Sequence, residues 1–194
     1  MVNQRAHIIA VAGPNGAGKS TTAPSLLKGT LKVTEFVNAD LIAQDNPGMS
    51  AIGAGRVMLN RMRYLSDRHV NFAFESTMSS RSFAPWISEL CKKGYLFHMV
   101  FLWLPSDEFA MKRVAERVRM GGHNVPEETI RRRYHGGLNN FFKLYQPIAD
   151  TWYFYDNSAD VPELIAYGKR SNKIVVMDEG FWHNIIESYG QEEK

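Results

Sequence analysis

The stretch AVAGPNGAGKST, residues 10–21, sets three glycines and one proline between a short apolar run and Lys19. Gly13, Gly18, Lys19 and Ser20 match the pattern G-x-x-x-x-G-K-[ST], which is typical of a phosphate-binding loop between a strand and a helix. Glycine loses more backbone entropy on folding than other residues, so a cluster of it usually meets a geometric need. We expect a tight turn whose N–H groups point inward at an anion, because side chains at the glycines would hold a phosphate away from them.

This loop predicts a nucleoside triphosphate as the ligand. Lys19 would contact the β- and γ-phosphates, and the hydroxyl of Ser20 would bind Mg²⁺. The sequence has no Asn/Thr-Lys-x-Asp motif for guanine and no Leu-Ser-Gly-Gly signature, which favours an ATP- and Mg²⁺-dependent kinase over a GTPase or an ABC-type ATPase. The candidate nucleotide-binding residues are Gly13, Asn15, Gly16, Ala17, Gly18, Lys19, Ser20 and Thr21.

Short apolar runs alternate with helical patterns along the chain. The strand-like runs are 7–12, 34–38, 71–75, 95–104, 151–155 and 173–177. The helix-like segments are 19–27, 50–69, 84–93, 106–120 and 126–145, with a packing helix in the final FWHNIIESYG. This alternation, with almost wholly apolar strands, predicts an α/β P-loop kinase fold with a mostly parallel sheet of five or six strands and helices on both faces. Pro24 is expected to kink or shorten the first helix, and Gly136-Gly137 to bend or break a later one.

Composition bounds the class of protein. The 194 residues are expected to form a single domain, 1–194, of which 44% are apolar and 22% charged. The single cysteine, Cys91, excludes a disulfide within the chain and favours the cytoplasm. No apolar run approaches the roughly 20 residues of a membrane span, so we expect no membrane partner. The net charge is +3, and seven of the 23 basic residues fall within 112–133, where a solvated helix face, phosphate binding and nucleic acid are all open.

Two acids follow predicted strands. Ligands of an open parallel sheet gather at the carboxyl ends of its strands, where Asp40 and Glu75 are expected. Asp40 would accept a hydroxyl proton, or would only cap a helix that begins at Leu41. Glu75 would bind substrate hydroxyls or hold Mg²⁺ through water, or would only pair with Arg81 or a helix terminus. Thr77 and Arg81 are candidate substrate contacts, because a guanidinium can bind an anionic group with two hydrogen bonds.

Basic residues flank a glycine-led loop at 121–125. Phosphoryl transfer needs positive charge over the transferring group and exclusion of water, so we expect a small lid at about 113–133. Each arginine taken singly is open to a surface role, and spacing does not decide which one is catalytic. The arginines of this lid are Arg113, Arg117, Arg119, Arg131, Arg132 and Arg133.

Six segments together resemble the zeta-toxin family of P-loop kinases, especially its short, stand-alone chromosomal branch. They are GPNGAGKST, VNADLIAQ, AGRVML, FAFESTMSSRSF, RVAERVRMGGHNVPEETIRRRY and YDNS. The resemblance implies that ATP phosphorylates a hydroxyl of UDP-N-acetylglucosamine and that an antitoxin blocks the ATP site. It gives Asp40 the role of acceptor base and Glu75 that of a substrate-pocket acid. The chain departs from the family in having His123 where an arginine is usual, and in being shorter than well-studied members.

These observations predict a kinase that phosphorylates a hydroxyl of a small anionic metabolite, with a nucleotide sugar as one candidate and an antitoxin as a candidate partner. A nucleotide-gated binding module or weak ATPase acting on a partner protein is the alternative. A polynucleotide kinase or RNA binder ranks last, because few aromatic residues interleave with the arginines. The predicted catalytic residues are Lys19, Asp40, Arg117 and Arg119.

Overall fold

The computed structural model, which describes residues 5–28, 33, 35–170 and 174–190, contains one seven-stranded sheet within those residues. Numbered along the chain, the strands lie across the sheet in the order 2-3-1-4-5-6-7. Each neighbouring pair from strand 2 to strand 5 is parallel, and strand 6 pairs antiparallel with both strand 5 and strand 7. In chain order the strands are β1 His7–Ala12, β2 Glu35–Val37, β3 Phe72–Ser76, β4 Leu96–Trp103, β5 Thr151–Asp156, β6 Glu163–Lys169 and β7 Val175–Val176.

Helices connect and follow these strands. Side-chain caps mark several helix starts: Ser50 accepts from the N–H of Gly53, and Ser106 accepts from the N–H of Phe109, each at 3.1 Å. A π-type turn over Phe141–Tyr145 and a 3₁₀ turn over Gln146–Ile148 extend the sixth helix, and a π-type turn over Ile186–Gly190 extends the seventh. The helices are α1 Lys19–Lys28, α2 Ala39–Asp45, α3 Ala51–Asp67, α4 Phe83–Lys92, α5 Asp107–Arg119, α6 Glu127–Asn140 and α7 Glu179–Ile185.

The centre of the sheet is covered on both faces. Successive residues of a strand point to opposite faces, yet every residue of β1 after His7 and the first three of β3 are buried. At the far side, the rings of Phe101 and Phe154 stack at 5.3 Å, and Trp182 of α7 stacks on Trp152 of β5 at 5.6 Å. Trp182 is therefore part of the core, as a packing helix requires, whereas His183 is exposed. The predicted α/β fold is confirmed.

The sheet has two features that differ from the expectation. It has seven strands rather than five or six, because β6 had no recognisable pattern in the sequence. Gly168 in β6 suggests a break, but a Cβ there would lie 2.8 Å from the Trp152 ring, so glycine is what allows the strand to pack on β5. Thr34 and Lys173, at the ends of two predicted strands, lie outside the described residues.

Three helices also differ from expectation. The helix α2 begins at Ala39, two residues before the start at Leu41 that one alternative for Asp40 assumed. Pro24 does not end α1, which continues to Lys28. Gly136 and Gly137 do not break α6, whose regular geometry changes only at Phe141.

No helix within the described residues is long and apolar enough to cross a membrane. Cys91 of α4 is partly buried against the core, and burial raises the pKa of its thiol, which disfavours the thiolate that a nucleophile needs.

Gly136 and Gly137 allow a matched test of how α6 packs on the segment after β3. A methyl group at Gly137 would lie 2.6 Å from the carbonyl oxygen of Thr77, whereas one at Gly136 would meet Ser79 at 3.4 Å or more. Both changes to alanine bring the same gain in helix propensity, about 1 kcal/mol. In urea denaturation we expect Gly137→Ala to lower the free energy of unfolding by about 1–3 kcal/mol. Gly136→Ala should leave it equal or higher; equal values for the two variants would contradict the close packing.

Candidate active site

The glycines of the phosphate loop are confined by protein on their outer side. Gly13, Gly16 and Gly18 have φ values of 139°, 80° and 70°, which favour glycine. A Cβ at Gly13 would lie 2.2 Å from the carbonyl oxygen of Leu102 in β4, and one at Gly16 would lie 2.8 Å from that of Ala110 in α5. The expectation that side chains would obstruct the phosphate was incomplete, because neighbouring backbone already excludes them.

The inner side of this loop offers hydrogen-bond donors. The N–H of Ala17 donates to the Pro14 carbonyl at 3.2 Å, which closes the turn. The N–H groups of Gly16, Gly18, Lys19 and Ser20 have no backbone acceptor within the described residues. Free donors at a glycine-rich turn and a helix N-terminus are what a phosphate group requires, so the loop fits the triphosphate of ATP.

The carboxylate of Glu75, near the end of β3, joins three side chains. Its Oε2 accepts hydrogen bonds from Ser20 Oγ at 2.7 Å and from Asn38 Nδ2 at 2.8 Å, and its Oε1 lies 3.7 Å from Lys19 Nζ. Because β3 lies between β1 and β2, its carboxyl end meets the segments that follow both strands. Glu75 therefore pairs with Lys19 and Ser20 at the N-terminus of α1 and, among the described residues, not with Arg81. The alternative pairing with Arg81 is wrong, whereas the alternative of a helix terminus agrees with the structure.

Lys19 is a buried ammonium. Its side chain is 7% exposed, and Nζ donates to the Pro14 carbonyl at 2.9 Å. Burial lowers the pKa of Lys19, the charges of Glu75 and Asp40 raise it, and those of Arg117 and Arg133 lower it. The Lys19 ammonium is therefore buried between the Pro14 carbonyl and the Glu75 carboxylate, within the electrostatic reach of Asp40, Arg117 and Arg133.

Asn38, and not Asp40, caps α2. Its Oδ1 accepts from the N–H of Asp40 at 2.7 Å, so the reading of Asp40 as the cap of that helix is wrong. Asp40 lies in the first turn and is exposed. Its charge raises the pKa of both Lys19 and Arg133. The role of Asp40 as the acceptor base stays a prediction.

Two lid arginines act on the cleft. Arg117 donates from Nη2 to the carbonyl of His123 at 2.7 Å, while its Nε is buried without a partner within the described residues. Arg133 of α6 lies with Nη1 3.5 Å from Asn15 Oδ1 of the phosphate loop. Burial and the charge of Arg132 lower the pKa of Arg133, and Asp40 raises it. The structure thus adds Arg133 to the site.

The other lid arginines have different positions. Arg131 forms an ion pair with Asp107 at 2.6 Å, which ties α6 to the start of α5. Arg113 donates to two carbonyls of the segment after β5. Arg119, the last residue of α5, is exposed, and its catalytic role stays a prediction.

The segment after β3 carries the predicted substrate contacts. Thr77 Oγ1 and Ser79 Oγ lie 2.9 Å apart, and Arg81 is exposed. Between them the buried Met78 has φ 53°, and Asn140 of α6 holds its carbonyl at 2.9 Å. A buried left-handed residue fixed by a neighbouring helix makes this segment well defined, but Thr77 and Arg81 stay predictions as substrate contacts.

Ser20 and Glu75 fit a magnesium ion by their chemistry. Mg²⁺ prefers oxygen ligands and is usually bound by one or two protein groups together with waters and substrate phosphates. The Ser20 hydroxyl and the Glu75 carboxylate supply such oxygens, 2.7 Å apart. Among the described residues no group of three or more His, Cys, Asp or Glu forms a metal site. The phosphates would have to complete the coordination.

Comparison with known proteins decides the family. The zeta toxin family model matches residues 2–179. The chain belongs to the zeta toxin family. The resemblance read from the motifs is thereby confirmed, and this membership supports an ATP-using P-loop kinase as the functional class. An uncharacterized protein of Haemophilus influenzae is 29% identical over 126 residues, which cover 63% of this zeta toxin family chain and 88% of that protein.

Solved structures show the same fold. A chain of the AvrRxo1-ORF1:AvrRxo1-ORF2 complex with sulphate ions has a TM-score of 0.70 at 14% identity, and a second structure of that complex, with ATP, has a TM-score of 0.69. A chain of the PezAT chromosomal toxin–antitoxin system of Streptococcus pneumoniae has a TM-score of 0.65 at 12% identity, covering 100% of this chain and 82% of that one. The AvrRxo1 match covers 94% of this chain but 64% of the other, so this chain spans just under two thirds of that relative.

The sequence did not single out three residues of the site, although Arg133 was among the predicted lid arginines. Asn38 lies next to the predicted acid Asp40, and its preference for helix N-caps was the available signal. Arg133 could not be told from its neighbours, because two adjacent arginines precede it. Asn157, which contacts the phosphate loop, follows a predicted strand, but nothing in the sequence indicates its partner.

Glu75 and Lys19 predict an asymmetric effect on stability. In Glu75→Gln the buried Lys19 ammonium loses its carboxylate partner and keeps only the Pro14 carbonyl, so the pKa of Lys19 falls further. In Lys19→Met the Glu75 carboxylate still accepts hydrogen bonds from Ser20 and Asn38. Removing the partner of a buried charge costs about 3–5 kcal/mol. In urea denaturation without nucleotide, we expect Glu75→Gln to lose more free energy of unfolding than Lys19→Met.

Asp40→Asn is the control for that comparison. It removes the same charge from an exposed position and should cost less than about 1 kcal/mol. A larger loss in Lys19→Met than in Glu75→Gln would contradict the role of Glu75 as the partner that holds Lys19.

Proposed function

We propose that this protein transfers the γ-phosphoryl group of ATP, with Mg²⁺, to a hydroxyl of a small anionic metabolite. The observation that carries the proposal is the contact set of Glu75. It joins Lys19 and Ser20 of the phosphate loop to Asn38, and Asn38 in turn fixes the turn that presents Asp40. These contacts support a triphosphate site with an exposed carboxylate at the neighbouring strand end, which is the minimum that transfer to an alcohol needs.

Asp40 is the proposed general base. Its carboxylate accepts the proton of the acceptor hydroxyl as that oxygen forms a bond to the γ-phosphorus and the bond to the leaving oxygen of ADP breaks. Lys19 and the loop N–H groups bind the β- and γ-phosphates and orient them for this attack. Ser20 and Glu75 are proposed to hold Mg²⁺, which neutralises charge on the phosphate oxygens when bound.

The lid arginines supply the remaining positive charge. Arg117 and Arg133 are the proposed ligands of the transferring phosphoryl group, because both already act on Lys19. The unpartnered Nε of Arg117 leaves that guanidinium with donor capacity to spare. Arg119 is kept as a catalytic candidate; from its exposed position it would act only after the lid closes.

The acceptor is proposed to be a nucleotide sugar or similar anionic metabolite. Thr77 can offer a hydroxyl to the sugar, and Arg81 can bind an anionic group with its guanidinium. Family membership makes UDP-N-acetylglucosamine the first candidate. An antitoxin partner is also proposed, since the PezAT relative is part of a toxin–antitoxin system.

A turnover assay with the purified chain tests the proposal. ADP is measured with ATP and Mg²⁺, with and without a panel of hydroxyl acceptors that includes UDP-N-acetylglucosamine. We expect one acceptor to stimulate ADP formation and to yield a phosphorylated product. ATP loss that is indifferent to every acceptor would instead support a nucleotide-gated module or weak ATPase.

Lys19 and Asp40 separate nucleotide binding from transfer. Lys19→Ala should lower turnover at least about 100-fold by removing charge stabilisation. Asp40→Asn should retain ATP binding in calorimetry yet lose about 10²–10⁴-fold in transfer, because it lacks the base. Undiminished transfer by Asp40→Asn would remove the assignment of Asp40 as the base.

The arginines can be ranked by single substitutions. Arg117→Ala and Arg133→Ala should each lower kcat about 10²–10³-fold. Arg132→Ala is the matched control, since it removes an exposed arginine next to Arg133. Arg119→Ala, measured in the same series, decides whether Arg119 takes part. Similar kcat values for the Arg132 and Arg133 variants would contradict the role given to Arg133.

A further inference from the structure

The segment that follows β5 holds the phosphate loop from its outer side. Asn157 is 6% exposed, and its Nδ2 donates to the carbonyl of Ala17 at 2.7 Å across 140 residues of sequence. A Cβ at Gly18 would lie 3.0 Å from the same nitrogen. The N–H of Asn157 donates to the carbonyl of Trp103 at 3.0 Å, which fixes the segment to the end of β4.

Arg113 of α5 fixes the same segment from the lid side. Its Nη1 donates to the carbonyl of Asn157 at 2.7 Å and its Nη2 to that of Ser158 at 2.8 Å. The guanidinium also lies 5.0 Å from the ring centroid of Phe109. These two hydrogen bonds from one guanidinium use the planar geometry that distinguishes arginine from lysine. Asn157 is thus held in place independently of the phosphate loop that it contacts.

The hydrogen bond to Ala17 has a direct geometric consequence for Gly18. The peptide that joins them is trans and planar, so its C=O and N–H point in opposite directions. With the Ala17 carbonyl bound to Asn157, the Gly18 N–H must point away from Asn157, and it has no backbone acceptor within the described residues. Glycine at 18 would otherwise let this peptide rotate readily, because its φ is not restricted by a side chain.

We infer that Asn157 is a positioning residue that sets the Ala17–Gly18 peptide so that the Gly18 N–H faces the phosphates, with Arg113 holding Asn157 in place. The inference rests on the proposed function, because it assumes that this loop binds a triphosphate. Asn157 acts on the phosphate-binding backbone through Ala17 and needs no contact with the nucleotide base.

Calorimetry with two ligands, MgATP and inorganic tripolyphosphate, tests this role. A hydrogen bond to a charged group is worth about 10- to 100-fold in affinity, so Asn157→Ala should weaken the binding of both ligands by about that factor. Ser158→Ala is the matched control on the same segment, where the backbone rather than the hydroxyl makes the contact to Arg113. It should bind both ligands as the wild type does.

Two further variants separate positioning from general destabilisation. Ile185→Ala truncates a buried side chain in α7 and should lower the melting temperature without changing tripolyphosphate affinity. Arg113→Lys keeps the charge but cannot make both hydrogen bonds, so it should lower the affinity for both ligands. It carries the test if Asn157→Ala does not fold.

The outcomes are distinct. Loss of affinity for MgATP alone would place Asn157 against the base and overturn the inference, as would unchanged affinity for both ligands in the variant that folds. If Ile185→Ala and Asn157→Ala lost the same tripolyphosphate affinity, the loss would come from lower stability alone. That result would also overturn the inference. If the wild-type chain binds neither ligand, the proposed function fails and the inference fails with it.

Discussion

The carboxylate of Glu75 is the contact on which the rest of the site depends. It receives hydrogen bonds from Ser20 and Asn38 and lies 3.7 Å from the Lys19 ammonium, so it joins segments that follow β1 and β2. A buried carboxylate is stable only if its charge is met by donors and a cation. Lys19 in turn loses solvation on burial and needs the carboxylate. Each charge is therefore tolerated because of the other, and the two strand ends are held together as a result.

Much of the fold and of the geometry of the phosphate loop could be predicted from the sequence. The spacing of Gly13, Gly18 and Lys19 is a local signal, because the loop is one continuous segment. Its backbone has positive φ angles at the glycines, which other residues rarely adopt. Apolar strands that alternate with helices likewise carry their own pattern. The strand-end rule brought Asp40 and Glu75 to one edge of the sheet without knowledge of which strands are neighbours.

The other features of the fold and the candidate site depend on contacts between segments that are distant in the sequence. A single sequence shows no local pattern for such contacts. The pairing of Asn157 with Ala17 spans 140 residues, and Asn157 carries no local pattern that names its partner. Arg131, Arg132 and Arg133 are adjacent, yet Arg131 binds Asp107 while Arg133 acts on Lys19, because a helix turns by about 100° per residue. The strand β6 was not predicted, and the Trp152 ring against which its Gly168 packs lies on another strand.

The charges of the cleft also explain why such a site would respond to a polyanion. The charges of Arg117 and Arg133 lower the pKa of Lys19, and among the described residues those of Glu75 and Asp40 raise it. Like charges that are partly desolvated destabilise the free protein. A triphosphate would remove this repulsion and supply acceptors for the free N–H groups of the loop. Binding and stability are then linked, because a ligand that binds only the folded state stabilises it in proportion to its occupancy. Relief of the repulsion between Lys19 and the two arginines would thus contribute to the affinity for a polyanion.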